Sequence, residues 1–223
     1  MLAVPLAQGA PNQLTASETA AGWRLLFDGK TSAGWHRFHE RAFPEKGWVV
    51  EDGWLHCLGQ GGGDIVSESE FEQFELQWEW KLVLGGNSGL KYFVLDRRKN
   101  PLGHEYQMLD DEKNEDGHLA QGKRVTAAFY DVLKPDVKTP VRPMGEVNQS
   151  RVLVRGNHVE HWLNGVKVLE YECGSERIQK AVSESKFKTT PGFGNRVKGH
   201  ILLQDHGSDV WFRDIRIRHL SKE

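Results

Sequence analysis

GGNSGLKYFVLDRRKNPLGHEYQMLDD, residues 85–111, is the stretch that decides the fold. It reads as two strands, Ser88–Leu95 and His104–Leu109, joined by a loop containing Pro and Gly. Successive side chains of a strand point to opposite faces. Tyr106 and Met108 therefore share one face, and Glu105 and Gln107 the other. In the first strand Leu90, Tyr92 and Val94 face a core, with Asn87 and Lys91 opposite. Two neighbouring strands thus turn apolar groups inward and set a row of charges and amides on one exposed sheet face. That row is the candidate site, although it also fits an ordinary solvated sheet face.

Outward from this pair the same period recurs. In FEQFELQWEWKLVL, residues 71–84, Phe74, Leu76, Trp78 and Trp80 alternate with Glu75, Gln77, Glu79 and Lys81, the pattern of a half-buried antiparallel strand. Residues 151–172 form a three-strand meander with turns at Gly156-Asn157 and Asn164-Gly165, the second a type I′ signal. Asp52-Gly53 marks another hairpin, and AAFYDVL, residues 127–133, another short β run. Residues 134–146 contain three prolines and read as a long surface loop. In VWFRDIRIRHL, Ile215 and Ile217 alternate with Arg216 and Arg218, as an outer strand should. The one helical stretch is SERIQKAVSESKF, residues 175–187, with Ser175 as cap and Ile178 and Val182 on one face. There is no linker and no repeat. The reading is a flexible segment, 1–20, followed by a single domain, 21–223, folded as an all-β antiparallel sandwich.

Composition narrows the function. The chain has 223 residues, with 29 Lys plus Arg against 31 Asp plus Glu and no basic tract, so a nucleic-acid partner is disfavoured. No apolar run reaches the roughly 20 residues of a membrane-spanning helix. The N-terminal MLAVPLAQGAPNQ is either the remnant of a trimmed export signal or a loose terminus. Cys57 and Cys173 form one disulfide or stay as buried thiols, the second favoured. GQGGGD, residues 59–64, is a flexible loop without the setting of a phosphate loop. The acidic loop DDEKNEDG, residues 110–117, has enough carboxylates for Ca²⁺ or another divalent cation. It departs from the EF-hand template, with Glu115 where Gly is required, and reads as a solvated loop. No metal ligand or cofactor is assigned.

Five segments in order, LLFDGKTSAGW, GGNSGLKYFV, GHEYQMLDD, HVEHWLNG and ILLQDHGSDVWFRDIRIR, resemble the 3-keto-disaccharide hydrolase domain family across about residues 22–220. The resemblance implies a jelly-roll sandwich of the concanavalin A-like lectin/glucanase type. It also implies an extracytoplasmic bacterial enzyme acting on oxidised sugars, with carbohydrate as its partner. Where some relatives carry an arginine after NSG, this chain has Lys91 to supply the positive charge.

A ketone at C3 of a glucoside acidifies the C2 hydrogen. A base removes it, the enolate expels the C1 aglycone, and water adds back. That needs a base, an acid for the leaving oxygen, and a charge stabiliser. Glu105 and His206 are the candidate catalytic pair. Asn87, Lys91, Gln107 and Gln204 are candidate substrate contacts, Trp162 a candidate stacking surface, and Asp110, Glu146 and Lys186 candidate loop contacts. The rival readings are a direct two-carboxylate glycosidase, with Glu105 and Glu146 as the pair, and a carbohydrate-binding module. No signature of a serine hydrolase, a zinc protease or a dinucleotide enzyme is present.

Overall fold

The computed structural model describes residues 10–220. Two antiparallel sheets face each other across one apolar core, the jelly-roll sandwich expected. The larger sheet has eight strands: β1 (Arg24–Leu25), β3 (Trp48–Glu51), β4 (Trp54–Leu58), β6 (Phe74–Leu82), β9 (Asn148–Arg155), β10 (His158–Leu163), β11 (Val166–Glu172) and β13 (Asp209–His219). Their order is β11-β10-β9-β6-β13-β4-β3, with β1 paired to β13. The smaller sheet has β2 (Trp35–Arg37), β5 (Ile65–Phe71), β7 (Asn87–Val94), β8 (His104–Leu109) and β12 (Gly199–Leu203), ordered β2-β5-β12-β7-β8.

The alternation in β6 holds, with Phe74, Leu76, Trp78 and Trp80 fully buried. Each such side chain stabilises the fold by about 2–3 kcal/mol through area removed from water. The β9–β10–β11 meander forms with its turns where expected, with one extra residue in β11 opposite His161 and Trp162, and Asn164 adopts φ 47° at its second turn. The expected helix is α2 (Glu176–Ser183), following a shorter α1 (Ala16–Ala20). The Ser175 hydroxyl accepts from the Ile178 N–H, and Ile178 and Val182 are buried. Cys57 and Cys173 are buried, unpaired thiols, both pushed up to about 12 by burial.

Four expectations change. Val94 leaves the side of Leu90 and Tyr92. Leu202 pairs with Lys91 but His200 with Val94, so β7 carries one extra residue, and Phe93 there takes φ 62°. Phe93 enters the main core, while Val94 joins Val66 and Leu202 on the other face, a β-bulge effect. Residues 127–133 form no strand, because positive φ at Ala127 and Asp131 turns the chain, leaving isolated bridges at Phe129. β13 lies in mid-sheet between β6 and β4, not outside. Its Arg216 is 2% exposed, ion-paired to Glu18 of α1 and to Asp214. The segment expected to be loose lies outside the described residues at 1–9. In residues 10–20, Asn12 is hydrogen-bonded to Asp214 and Gly53.

Candidate active site

The bulge falls after the polar row and leaves it intact. Lys91 pairs with Glu105 and Leu202, and Gly89 with Gln107, while Leu90, Tyr106 and Leu203 point into the core. Gln204 extends β12 by one residue, its N–H donating to the Gly89 carbonyl. Glu105, Lys91, Gln107 and Gln204 thus stand together on the outer face of the small sheet. They line a cavity of about 70 Å³ with Asn87, Leu102, Asp116, Tyr130, Lys186, Phe187 and His206. Seven residues of this lining are sequence candidates: Asn87, Lys91, Glu105, Gln107, Lys186, Gln204 and His206.

Glu105 lies on the floor, 6% exposed. A Cβ on Gly89 would stand 2.6 Å from its Oε1, so the glycine of NSG makes room for the carboxylate. Lys91 Nζ sits 3.9 Å from Glu105 Oε2 and 3.8 Å from Asp64 Oδ2. Burial raises the Glu105 pKa above the usual carboxylate range, and Asp64 adds to the rise, against the pull of Lys91, Lys186 and His206. Burial also raises Asp64. Both amide atoms of Gln107 and the Oε1 of Gln204 are buried without a hydrogen-bond partner. Orphaned buried amides are costly, and a polyhydroxylated ligand would satisfy them.

His206 is exposed at the rim, on the loop after β12. That loop is clasped on both sides. Ser88 Oγ donates to the Gln204 carbonyl, the Asn87 N–H to Ser208 Oγ, and the Gly63 N–H to Asp205 Oδ2. The end of the loop expected to be flexible, residues 59–64, is therefore pinned at Gly63 and Asp64.

The opposite wall comes from residues 110–131, part of which reads as a solvated loop in the sequence. Arg124 bridges Asp116 at 2.7 Å and Asp131 at 2.6 Å. Tyr130 donates its hydroxyl to Asp116, and its N–H to the Glu105 carbonyl. Asp111 accepts from Thr126. Lys186, an exposed residue, sets its ammonium 4.0 Å from the Tyr130 ring centroid. No periodic pattern links Asp116, Tyr130, Phe187 and Leu102, so the sequence alone carries no signal for them.

Three candidates fall elsewhere. Asp110 is buried and spends its carboxylate on the N–H groups of Gly85, Glu112 and Lys113, shaping the turn. Glu146 is exposed in the proline-rich loop and does not line the cavity. Trp162 belongs to β10 of the other sheet, under Arg151 and bonded to Glu160. A larger, open depression of about 660 Å³ lies near the far end of the small sheet, lined by His36, His39, Glu40, Arg41, Glu68, Asp96 and His200. The smaller cavity is the better candidate, because it alone joins a buried carboxylate of raised pKa to unpartnered amides.

Residues 22–218 match the family described as the 3-keto-alpha-glucoside-1,2-lyase-like domain. The chain is 34% identical to a 3-keto-disaccharide hydrolase of Bacteroides thetaiotaomicron over 90% of its own length and 79% of that protein. A crystal structure from Parabacteroides distasonis, provisionally assigned as a glycosyl hydrolase, superposes with TM-score 0.84 at 35% identity, covering 95% of this chain and 100% of that one. A second from the same organism, with the same provisional assignment, gives TM-score 0.72 at 29% identity, covering 89% and 99%.

Proposed function

Because this chain belongs to the 3-keto-alpha-glucoside-1,2-lyase-like domain family, we propose that it is a glycoside-cleaving enzyme whose substrates are 3-keto-glycosides. The observation that carries the reading is Glu105, a buried carboxylate of raised pKa beside Lys91 on the floor of a cavity with unpartnered amides. In this reading Glu105 takes the C2 proton, which the neighbouring ketone has acidified. A base with a raised pKa suits that task better than an ordinary carboxylate. The electron pair moves into the enolate, whose charge the Lys91 ammonium stabilises. The C1–O bond breaks, and His206 at the rim gives the leaving oxygen its proton. Water then adds at C1, and a proton returns to C2. Gln107, Gln204 and Asn87 hold the hydroxyls.

A direct two-carboxylate glycosidase loses its Glu105–Glu146 pair, since Glu146 does not line the cavity. A binding module would not need a buried, raised carboxylate among cations. The family resemblance supports an extracytoplasmic location, which fractionation of the native host tests. The functional test is incubation with 3-keto-glucosides beside the unoxidised glucosides. Aglycone release from the keto forms alone is expected. Cleavage of the unoxidised forms would favour the two-carboxylate glycosidase, and sugar binding without turnover would favour the binding module.

A further inference from the structure

Two lysines reach the cavity, and they are held differently. Lys91 is buried and paired with Asp64 and Glu105, which commits its ammonium as a fixed charge. Lys186 makes no ion pair among the described residues. Its Nζ lies 4.0 Å from the Tyr130 ring centroid and 5.2 Å from that of Phe187, and its own N–H donates to Asp131 Oδ2, anchoring the backbone there. The residue is exposed and lines the cavity, which leaves it reachable from the mouth. Burial of the ammonium end, with repulsion from Arg124 and Lys91, holds it below the usual lysine range against the attraction of Glu105 and Asp131. An amine beside an aromatic wall and other cations, with no carboxylate partner, is the setting in which lysines attack carbonyls.

Resting on the keto-glycoside reading, we propose that Lys186 is a catalytic nucleophile that forms an imine with the C3 ketone of the substrate. The neutral amine adds to C3, one proton is taken up from solvent and one water leaves, giving an iminium. Glu105 takes the C2 proton, and the electron pair forms the C2–C3 double bond of an enamine, neutralising the nitrogen. The enamine pair then forms the C1–C2 double bond as the C1–O bond breaks, with the leaving oxygen protonated from His206. Water adds at C1 and a proton returns to C2; a second water then hydrolyses the iminium, which frees Lys186, releases the proton taken up at the start and restores the ketone. No oxidant or reductant is consumed. Lys91, paired with Glu105, pulls the carboxyl toward its ionised form against burial.

The test traps the imine in the wild-type protein. A 3-keto-α-glucoside and sodium cyanoborohydride are added together, and the protein is mapped by peptide mass spectrometry, with the unoxidised glucoside as control. One reduced sugar adduct on Lys186, absent with the control, is expected. No adduct, or adducts only on other lysines, overturns the proposal. A second arm compares Lys186→Arg with Lys186→Met, both checked for an unchanged Tm. Arginine keeps the charge but forms no imine, so loss of turnover in both variants is expected. Wild-type turnover in Lys186→Arg would reduce Lys186 to a charge. If the wild-type protein turns over no 3-keto-glucoside at all, it is the proposed function that fails, a result distinct from turnover without an adduct.

Discussion

At the scale of the residue, Glu105 concentrates the chemistry. Burial opposes its charge and raises its pKa, while Lys91 pulls the other way. Glu105→Gln and His206→Ala are each expected to lower turnover of a 3-keto-glucoside by about 10²–10⁴-fold, the usual span for proton transfer. Affinity should fall far less, since Gln107, Gln204 and Asn87 would carry the binding. Steady-state kinetics beside calorimetric titration of a non-cleavable 3-keto sugar separates the two effects. Turnover in D₂O should place deuterium at C2, and a product without it would remove the proton-abstraction step. Because the base must be ionised, kcat/KM should rise with pH through a value above the ordinary glutamate pKa of about 4.3. A limb at or below that value would mean that Glu105 is not the base.

At the scale of the element, the active-site wall is a loop made rigid by charge. Arg124 joins Asp116 to Asp131, and Tyr130 hangs from Asp116 above the floor. Arg124→Met takes the charged donor from Asp116 and Asp131, leaving them only Tyr130 and the Lys186 N–H, and should cost about 2 kcal/mol, the scale of hydrogen bonds to charged groups. For a domain of this size that lowers Tm by roughly 4–8 °C, with KM rising as the wall loosens. An unchanged Tm would show that the wall stands without this bridge. In the adjoining loop, Asp110 and Asp111 already accept backbone N–H groups, and Asp116 accepts from Arg124 and Tyr130. A cation there must displace those donors, so EDTA is expected to leave Tm unchanged. A fall reversed by added Ca²⁺ would place a cation in the loop. At the meander turn, Asn164 combines φ 47° with bonds to Gln149, Pro140 and Asn148. Asn164→Ala should therefore destabilise by about 2 kcal/mol in urea unfolding, more than a surface substitution.

At the scale of the whole molecule, the two sheets share a buried polar chain. His161 Nδ1 donates to the Ala127 carbonyl, so its Nε2 accepts from Tyr92, whose oxygen accepts from Tyr171. Tyr171 in turn accepts from His104 Nδ1, which leaves His104 Nε2 bare in the core. Burial depresses His104 to about 3 and His161 to about 4, so both stay neutral in the fold. The unfolded chain protonates them below about 6.5. Their contribution is thus complete above that pH and is lost as pH falls through the window toward 4 and 3. The stability gap between the wild-type protein and His104→Asn should shrink by up to about 1.4 kcal/mol per pH unit below 6.5. A pH-independent gap would contradict a neutral His104.

The sandwich itself was legible in sequence. The two-residue period of β6, β8 and the meander, and the Asn-Gly turn, are local properties of the chain, and local sterics and burial enforce them. Parity placed Glu105, Gln107 and Lys91 on one face for the same reason. Parity failed at Val94, the last residue of β7, which one extra residue at Phe93 turns to the other face. It also could not show that Arg216 is covered by α1, or that Trp162 faces away on the other sheet. The wall of Asp116, Arg124 and Tyr130 was beyond it altogether, and parity gave no placement for Lys186, named only as a loop contact. Those contacts join residues whose spacing follows no period, and only the closing of loops over the small sheet brings them together.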